Sequence, residues 1–306
     1  MAVSASEIKQ GQDAVSPAHR EYSGNNDAAF RRVAAAETGT ESMSQDTSLE
    51  LRGISHWLGS ALVLSRVEIA VAAGETVCLI GPSGCGKSTL LRIAAGLLLP
   101  DEGSVRLGAT TISGRPGSVA YMPQDDLLLP WRSAARNVAT PLEIQGASRS
   151  RALVEARDLL RAVGLGAASD SDPRTLSGGM RQRVAFVRTL VQGREAMLLD
   201  EPFGALDQLT RSSLHGWFRR TLRRRPAAVV IVTHDISEAV MLGDRVVVMT
   251  PQPGRVGAVI NVDLPSDRDT DAADTAEFTA IERDVRRALA EHSSPSPSNC
   301  TSEVAT

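Results

Sequence analysis

The sequence predicts an α/β fold with a mainly parallel central sheet. Four runs of strand length are almost entirely aliphatic: TVCLI (76–80), AMLLD (196–200), AAVVIVT (227–233) and RVVVMT (245–250). Such continuous apolar runs are typical of strands that are covered on both faces. Helical patterns separate the runs, and strands that alternate with helices indicate an α/β arrangement. The stretch at 130–192 has no convincing strand, which predicts a helical insertion.

The composition limits the class of protein. The chain has 306 residues, of which 42% are hydrophobic and 3% aromatic, so its core must be mainly aliphatic. A net charge of −3 gives no overall attraction to nucleic acid or anionic lipid. The three cysteines form no C-x-x-C pair, which argues against a zinc site or a disulfide framework and fits a reducing compartment.

The chain divides by composition into a folded unit and two tails. Residues 1–47 lack sustained periodicity and are predicted to be a disordered tail. The folded unit is expected at 48–270, with a helical subdomain at about 127–180. In the last part, 271–306, the stretch FTAIERDVRRALAE (278–291) predicts an amphipathic helix that packs on the folded unit, followed by a tail.

No segment approaches the roughly 18 consecutive apolar residues of a membrane span, and no apolar signal core begins the chain, so a cytoplasmic protein is expected.

A glycine-rich loop, GPSGCGKST (81–89), follows the first aliphatic run and precedes a helical pattern, STLLRIAAGLLL (88–99). It matches the P-loop pattern G-x-x-x-x-G-K-S in the strand-to-helix context that the pattern requires. Its glycines allow the backbone amides to approach an anion, and the helix adds its positive N-terminal end. An ordinary glycine turn is the weaker alternative. The candidate ATP-binding residues are Gly81, Pro82, Ser83, Gly84, Cys85, Gly86, Lys87, Ser88 and Thr89.

Three of these residues have distinct expected roles. Lys87 would reach the β- and γ-phosphates, Ser88 would hold Mg²⁺, and Thr89 would contact the α-phosphate. A second acidic motif ends the run AMLLDEP, where Asp200 would hold Mg²⁺ through water and Glu201 would act as general base on the attacking water. Taken alone, the two carboxylates could equally begin a solvated turn.

Four further motifs resemble one family, the ATP-binding cassette (ABC) ATPases. LSGGMRQR (176–183) is similar to the family's signature, YMPQDD (121–126) to its Q-loop, GALD (204–207) to its D-loop and VTHD (232–235) to its switch histidine. All occur in the family's order, and the resemblance covers about residues 48–265. It implies a P-loop NTPase with a parallel core sheet, an N-terminal antiparallel β part and a helical subdomain.

The resemblance also implies roles for residues that are ambiguous by themselves. His234 would contact the γ-phosphate and orient the water with Glu201, although a lone histidine at a strand end is more often structural. Gln124 would contact Mg²⁺ and the water. Asp207 would contact a partner cassette. Family members sandwich two ATP molecules between two cassettes, so the signature residues are expected at the ATP of a second copy; these residues are Ser177, Gly178 and Gly179. From the residues alone, a helix N-cap with no ligand explains Ser177 somewhat more often than a phosphate contact does.

The chain departs from the family at the residue that stacks on adenine. The family places an aromatic residue in a stretch matching ISHWLG (54–59), and the alignment puts Leu58 there, with Trp57 one position early. Either Trp57 takes this role through a shift of register, or Leu58 packs on the base more weakly. The loss of stacking is worth about 1 kcal/mol.

Three stretches narrow the resemblance to importer ATPases of the nitrate, sulfonate and taurine group. They are DDLLLPWRSAARNVATPLEIQG (125–146), EPFGALDQLTR (201–211) and DRVVVMTPQPGRV (244–256). By analogy, Leu128, Leu129, Pro130 and Trp131 would receive a short helix of a transmembrane permease; the residues alone show only an apolar cluster, which an ordinary core explains equally well. The resemblance implies a peripheral ATPase at the cytoplasmic face of the membrane, served indirectly by a solute-binding protein.

Two other functions fit these motifs less well than the importer does. A soluble ABC ATPase of DNA repair or translation usually has two cassettes or large insertions, whereas this chain shows one cassette and no clear nucleic-acid surface. A P-loop kinase or GTPase leaves LSGGMRQR unexplained. The basic run RRTLRRRP (219–226) is interpreted as a solvated helix face, so no nucleic-acid partner is expected.

Overall fold

The computed structural model describes residues 49–224, 226–265, 268 and 270–293. The predictions for residues 1–47 and for the tail beyond residue 293 lie outside this part of the chain. The strands are β1 (Leu49–Leu58), β2 (Ala61–Val71), β3 (Thr76–Ile80), β4 (Glu102–Leu107), β5 (Thr110–Thr111), β6 (Ala120–Met122), β7 (Ala196–Asp200), β8 (Ala228–Val232), β9 (Arg245–Met249) and β10 (Val256–Asn261). The helices are α1 (Lys87–Ala94), α2 (Ala134–Ile144), α3 (Arg149–Ala162), α4 (Gly178–Leu190), α5 (Gln208–Arg224), α6 (Ile236–Leu242) and α7 (Ala276–Ser293).

A six-stranded sheet in the order β10-β9-β3-β8-β7-β6 forms the centre of the fold. Its strands are parallel except for β10, which runs antiparallel to β9 at one edge. Successive residues of β3 enter two different cores, with Cys78 and Ile80 on one face and Val77 and Leu79 on the other. Burial on both faces explains the continuous apolar runs and confirms the predicted parallel sheet.

A second, antiparallel sheet in the order β2-β1-β4-β5 lies over α1. Leu90, Leu91 and Ile93 of α1 share one core with residues of both sheets, so this helix is held between them. The loop from β3 to α1 therefore lies at the carboxyl ends of the parallel strands, where open α/β sheets bind ligands.

Helix α1 is shorter than the sequence predicts. It ends at Ala94, and the prediction that it continues to residue 99 is wrong. Gly96 adopts a φ of +71°, and the amide of Leu97 donates to the carbonyl of Arg92 at 2.9 Å. This is the 6→1 bond of a Schellman motif, in which a left-handed glycine closes a helix end.

Helices α2, α3 and α4 follow one another between β6 and β7, and α4 continues into the main core. The predicted boundary near residue 180 falls in the first turn of α4. Further along the helix, the buried ring of Phe186 packs against Phe203 at 5.3 Å, Phe218 at 5.1 Å and Trp217 at 6.1 Å between ring centroids. This aromatic cluster fastens α4 to α5 and to the segment after β7.

Helix α7 lies against the same core as the central sheet. Phe278 and Val285 are fully buried there, on one face of the helix. Among the described residues, none of the helices combines the length and the apolar character needed to cross a membrane.

The aromatic cluster leads to a prediction about stability. Phe186→Ala is expected to lower the free energy of unfolding by about 3–5 kcal/mol, because it removes a large ring from a closely packed site. Urea unfolding followed by circular dichroism measures the change. Val154→Ala, at an exposed position of α3, is the control and should stay within about 0.5 kcal/mol of the wild type. Equal stability of the two variants would show that the cluster does not hold α4.

Candidate active site

The loop at 81–89 presents an open helix end. Gly84 and Gly86 have φ values of +78° and +99°, which glycine adopts without a steric penalty. Gly86 is the N-cap of α1 and supplies no side-chain hydrogen bond, whereas α2, α3, α4 and α6 each begin with a serine or aspartate whose side chain accepts one. The first amide groups of α1 are therefore left for an anionic ligand.

The loop packs too closely against its neighbours for a side chain at Gly81 or Gly86. A Cβ atom at Gly81 would lie 2.9 Å from the carbonyl oxygen of Met249, and one at Gly86 would lie 2.7 Å from Cδ2 of Leu64. The Nζ of Lys87 donates to the carbonyls of Gly81 at 2.8 Å and Pro82 at 2.9 Å. An ammonium group beside the uncapped amides of α1 fits the phosphates of a nucleotide.

The hydroxyl of Ser88 forms a hydrogen bond with the carboxylate of Asp200 at the end of β7. Asp200 is buried, and this burial raises its pKa above the usual range. The hydrogen bond with Ser88 opposes that rise, as do the charges of Arg92 and Lys87. Hydroxyl and carboxylate oxygens are ligands that Mg²⁺ accepts when substrate phosphate completes the set, so the residues present fit this ion.

Three of the predicted residues meet at one carboxylate. The Nε2 of Gln124 donates to Oε2 of Glu201 at 3.1 Å, and Nδ1 of His234 lies 3.5 Å from Oε1 of Glu201. Glu201 has a φ of +50°, and its amide donates to the carbonyl of Val232 at 2.9 Å. Such a conformation costs a non-glycine residue about 1–3 kcal/mol, and it persists where the surrounding structure holds it.

The signature residues lie next to the D-loop. Ser177 caps α4, because its Oγ accepts a hydrogen bond from the amide of Met180 at 3.3 Å. A Cβ at Gly179 would lie 2.9 Å from the carbonyl oxygen of Ala205, so glycine allows the close contact. Asp207 accepts from the amide of Thr210, and this bond holds the pKa of its carboxyl below the usual range.

These residues form a group separate from the phosphate loop. In the described part of the chain, no hydrogen bond or ion pair joins the signature or Asp207 to residues 81–89. The structure thus brings together the P-loop, Asp200, Glu201, Gln124 and His234, whereas Ser177, Gly178, Gly179 and Asp207 make no described hydrogen bond to the P-loop of their own chain.

Comparison with known proteins decides the family. A family profile described as "ABC transporter" matches residues 64–204. An aliphatic sulfonates import ATP-binding protein of Burkholderia cenocepacia is 43% identical over 221 residues, which cover 72% of this chain and 80% of that protein. The chain belongs to the ABC transporter family. An aliphatic sulfonates import ATP-binding protein of Pectobacterium atrosepticum is 40% identical over 255 residues, 83% of this chain and 92% of its own.

Solved structures agree with this assignment. One is a dimeric ATP-binding cassette in a post-hydrolysis state with ADP and Pi bound. Its match has a TM-score of 0.64 at 27% identity and covers 71% of this chain and 100% of the solved chain. A dimeric bacterial ABC transporter cassette has a TM-score of 0.65 at 28% identity over the same shares. The predicted ABC cassette fold is confirmed. The chain is an ABC ATPase, and ATP is its substrate.

The ABC cassette leaves the two adenine candidates at the surface. Trp57 and Leu58 are both exposed at the end of β1, and the amide of Trp57 donates to Asp101 at 2.8 Å. Both side chains are accessible to a base, so the position of the adenine contact stays a prediction with two candidates.

The predicted apolar surface is only partly exposed. Leu128 is buried in the core of the helical region, and its prediction as a surface residue is wrong. Leu129 is half-buried, whereas Pro130 is exposed and Trp131 is 77% exposed. Leu127, rather than Leu128, is the exposed leucine of this stretch.

Sequence reasoning missed Gln182, a buried residue of the signature helix. Its Nε2 donates to the carbonyl of Glu201 at 2.7 Å, and its Oε1 accepts from the amide of Ala205 at 2.8 Å. One side chain thus holds the backbone of Glu201 and of the D-loop against α4. Its place within LSGGMRQR indicates that it belongs to the signature, but the sequence does not show that its partners are Glu201 and Ala205.

Sequence reasoning also missed Gly254, in the loop between β9 and β10. Its amide donates to Val63 at 2.8 Å, and its carbonyl accepts from Ser65 at 3.0 Å. A Cβ at this position would lie 2.0 Å from the carbonyl oxygen of Cys85 in the P-loop. The backbone at Gly254 therefore supports the phosphate loop from behind, although its Pro-Gly pair indicates only a turn.

Gly254→Ala is expected to weaken ATP binding. The added methyl must displace the P-loop backbone, and overpacking of this kind costs about 1–3 kcal/mol, which corresponds to a loss of affinity of about 5-fold to 150-fold. Titration with a fluorescent ATP analogue measures the dissociation constant. Gly216→Ala is the control, because its Cβ would meet only the end of the Arg220 side chain, at 3.3 Å. Unchanged affinity in Gly254→Ala would contradict the support of the loop by Gly254.

Proposed function

We propose that this ABC ATPase is the ATP-hydrolysing subunit of an importer that takes up nitrate, a sulfonate, taurine or a similar small solute through a membrane permease. The main support is the carboxylate of Glu201, held between Gln124 and His234 at the carboxyl end of β7. Two relatives are named as sulfonate import ATP-binding proteins, which supports the transport role.

The residues of the P-loop bind the substrate's phosphates in this proposal. The amides at the start of α1 and the ammonium of Lys87 hold the β- and γ-phosphates, and Thr89 contacts the α-phosphate. Ser88, Asp200 and Gln124 would hold Mg²⁺, which would neutralise charge on the transferring phosphoryl group. Buried Asp200 already bonds to Ser88, so the two oxygen ligands are adjacent before any ion binds.

Glu201 and His234 carry out the chemistry in this proposal. Glu201 accepts a proton from water as the water oxygen attacks the γ-phosphorus, and the bond from that phosphorus to the bridging oxygen of ADP breaks in line with the attack. His234 donates a hydrogen bond to the γ-phosphate. Its side chain is 70% exposed, which leaves room for the nucleotide.

A second copy of the chain completes the site in this proposal. Ser177, Gly178 and Gly179 stand at the N-terminus of α4 and make no described hydrogen bond to the P-loop of their own chain. In a pair of cassettes they would contact the ATP held by the partner, and Asp207 would contact the partner near the site. Both solved structures named above are dimeric, which supports such a pair.

The Q-loop would connect hydrolysis to the permease. Arg188 donates to the carbonyls of Asp126 at 2.6 Å and Leu127 at 2.7 Å, and Arg181 pairs with the Asp126 carboxylate at 2.8 Å. These bonds fasten the segment after Gln124 to the signature helix. The exposed ring of Trp131 would then receive a short helix of the permease, at the cytoplasmic face of the membrane, while a solute-binding protein supplies the permease from the other side.

Glu201→Gln tests the site assignment. The amide cannot accept the proton, so ATP hydrolysis is expected to fall by about 100-fold or more, while light scattering shows an ATP-dependent dimer. Glu195→Gln, at an exposed glutamate just before β7, is the control and should hydrolyse ATP at the wild-type rate. Wild-type hydrolysis by Glu201→Gln would show that Glu201 is not the base.

Trp131→Ser tests the transport role in cells that depend on this protein. The purified variant is expected to keep the ATPase rate of the isolated cassette, because Trp131 lies outside the site, while uptake of labelled sulfonate, taurine or nitrate falls several-fold. Val259→Ser changes an exposed residue on β10, at the sheet edge opposite β6, and should leave uptake unchanged. Normal uptake of all three solutes by Trp131→Ser would contradict the permease contact.

A further inference from the structure

A buried hydrogen-bond network lies directly behind His234. Its members are Thr233, which precedes His234, Glu238 on α6 and His215 on α5. Their exposed fractions are 1%, 6% and 7%. The proposed hydrolysis step uses none of these three side chains.

Glu238 is the centre of the network. Its Oε2 accepts a hydrogen bond from the hydroxyl of Thr233, and its Oε1 lies 3.1 Å from Nε2 of His215. A buried carboxylate is costly unless both of its oxygens accept hydrogen bonds, and here each oxygen has a partner. The position of Glu238 therefore fixes the hydroxyl of Thr233 as well as the imidazole of His215.

Both neighbours of His234 in the chain are held by this network. The hydroxyl of Thr233 accepts from the amide of Asp235 at 3.1 Å, and the carboxylate of Asp235 accepts from the amide of Glu238 at 3.1 Å. The side chain of His234 is mostly exposed, so few contacts of its own hold it. Its position relative to Glu201 thus depends on the backbone at Thr233 and Asp235.

The network also reaches the segment that carries Glu201. The ring of His215 packs edge-on against Phe203, two residues after Glu201, at 4.8 Å between centroids. Arg211 lies 3.5 Å from the carboxylate of Asp235 and donates to the carbonyl of Leu206 in the D-loop at 2.8 Å. The residues around His234 and the segment after β7 are therefore connected through α5.

We propose that Glu238 is a positioning residue for ATP hydrolysis. Its carboxylate holds Thr233, and through Thr233 it sets the distance between His234 and Glu201, while His215 keeps the carboxylate in place. This inference rests on the proposed contact of His234 with the γ-phosphate. A residue that acts only through His234 affects the rate of the chemical step more than the binding of ATP.

The first test compares variants that change this network by single atoms or groups. Glu238→Gln and Thr233→Val are each expected to lower kcat about tenfold, with KM for ATP changed by less than about twofold, as for the loss of one contact that orients a catalytic group. Thr233→Ser keeps the hydroxyl and should restore the wild-type kcat. Thr221→Val is the matched control, since the buried hydroxyl of Thr221 donates within α5, to the carbonyl of Trp217.

The second test repeats Glu238→Gln and Thr233→Val in a His234→Ala background, with single-turnover hydrolysis of labelled ATP so that low rates stay measurable. If the network acts through His234, each should lower the rate by less than about twofold there, because effects on one functional unit are not additive. A full tenfold loss in that background would overturn the inference, and so would an equal loss in Thr221→Val. Wild-type activity of His234→Ala alone would instead refute the proposed role of His234. The two Thr233 variants decide the question if Glu238→Gln does not fold.

Discussion

The burial of α1 between two sheets is the constraint on which the rest of the structure depends. Leu90, Leu91 and Ile93 fix the helix there, and its first turn then opens at the carboxyl ends of the parallel strands. Because β7 and β8 pair in parallel and end at the same edge, Asp200 and His234 arrive beside the phosphate loop although they lie far apart in the sequence. The site is thus a consequence of strand order, and each strand needs apolar cover on both faces for that order to hold.

The sequence predicted those parts of the fold that depend on local composition. Aliphatic runs mark the central strands, and the glycines of residues 81–89 mark the phosphate loop, because each pattern has one main physical explanation. The end of α1 was missed because Leu97 and Leu99 continue the helical spacing, while the left-handed turn at Gly96 overrides it. Leu128 was misplaced because a run of three leucines does not show which one points into the core.

The site was predictable as a set of residues but less so as a set of contacts. The sequence motifs identified Glu201, Gln124 and His234. The structure places Gln124 within hydrogen-bond distance of Glu201, and His234 within ion-pair distance of it. The bonds of Gln182 to the segment after β7, and the support of Cys85 by Gly254, join positions that no local spacing rule connects. Such contacts arise only when the tertiary packing brings distant segments together.

Helix α4 is continuous from the signature to the core, so a tilt of this helix about its core end would move the signature residues. Ser177 stands at the open end of this helix, and Phe186 lies in the aromatic cluster at the core. Nine residues of α-helix span about 14 Å, so a tilt of about 10° around Phe186 carries Ser177 through roughly 2 Å, the scale of helix shifts in switching proteins. A hydrogen bond to a bound phosphate is made or lost over that distance. In the proposed pair of cassettes, a tilt of this size would therefore be enough to join the signature to the partner's nucleotide or to separate it from that nucleotide.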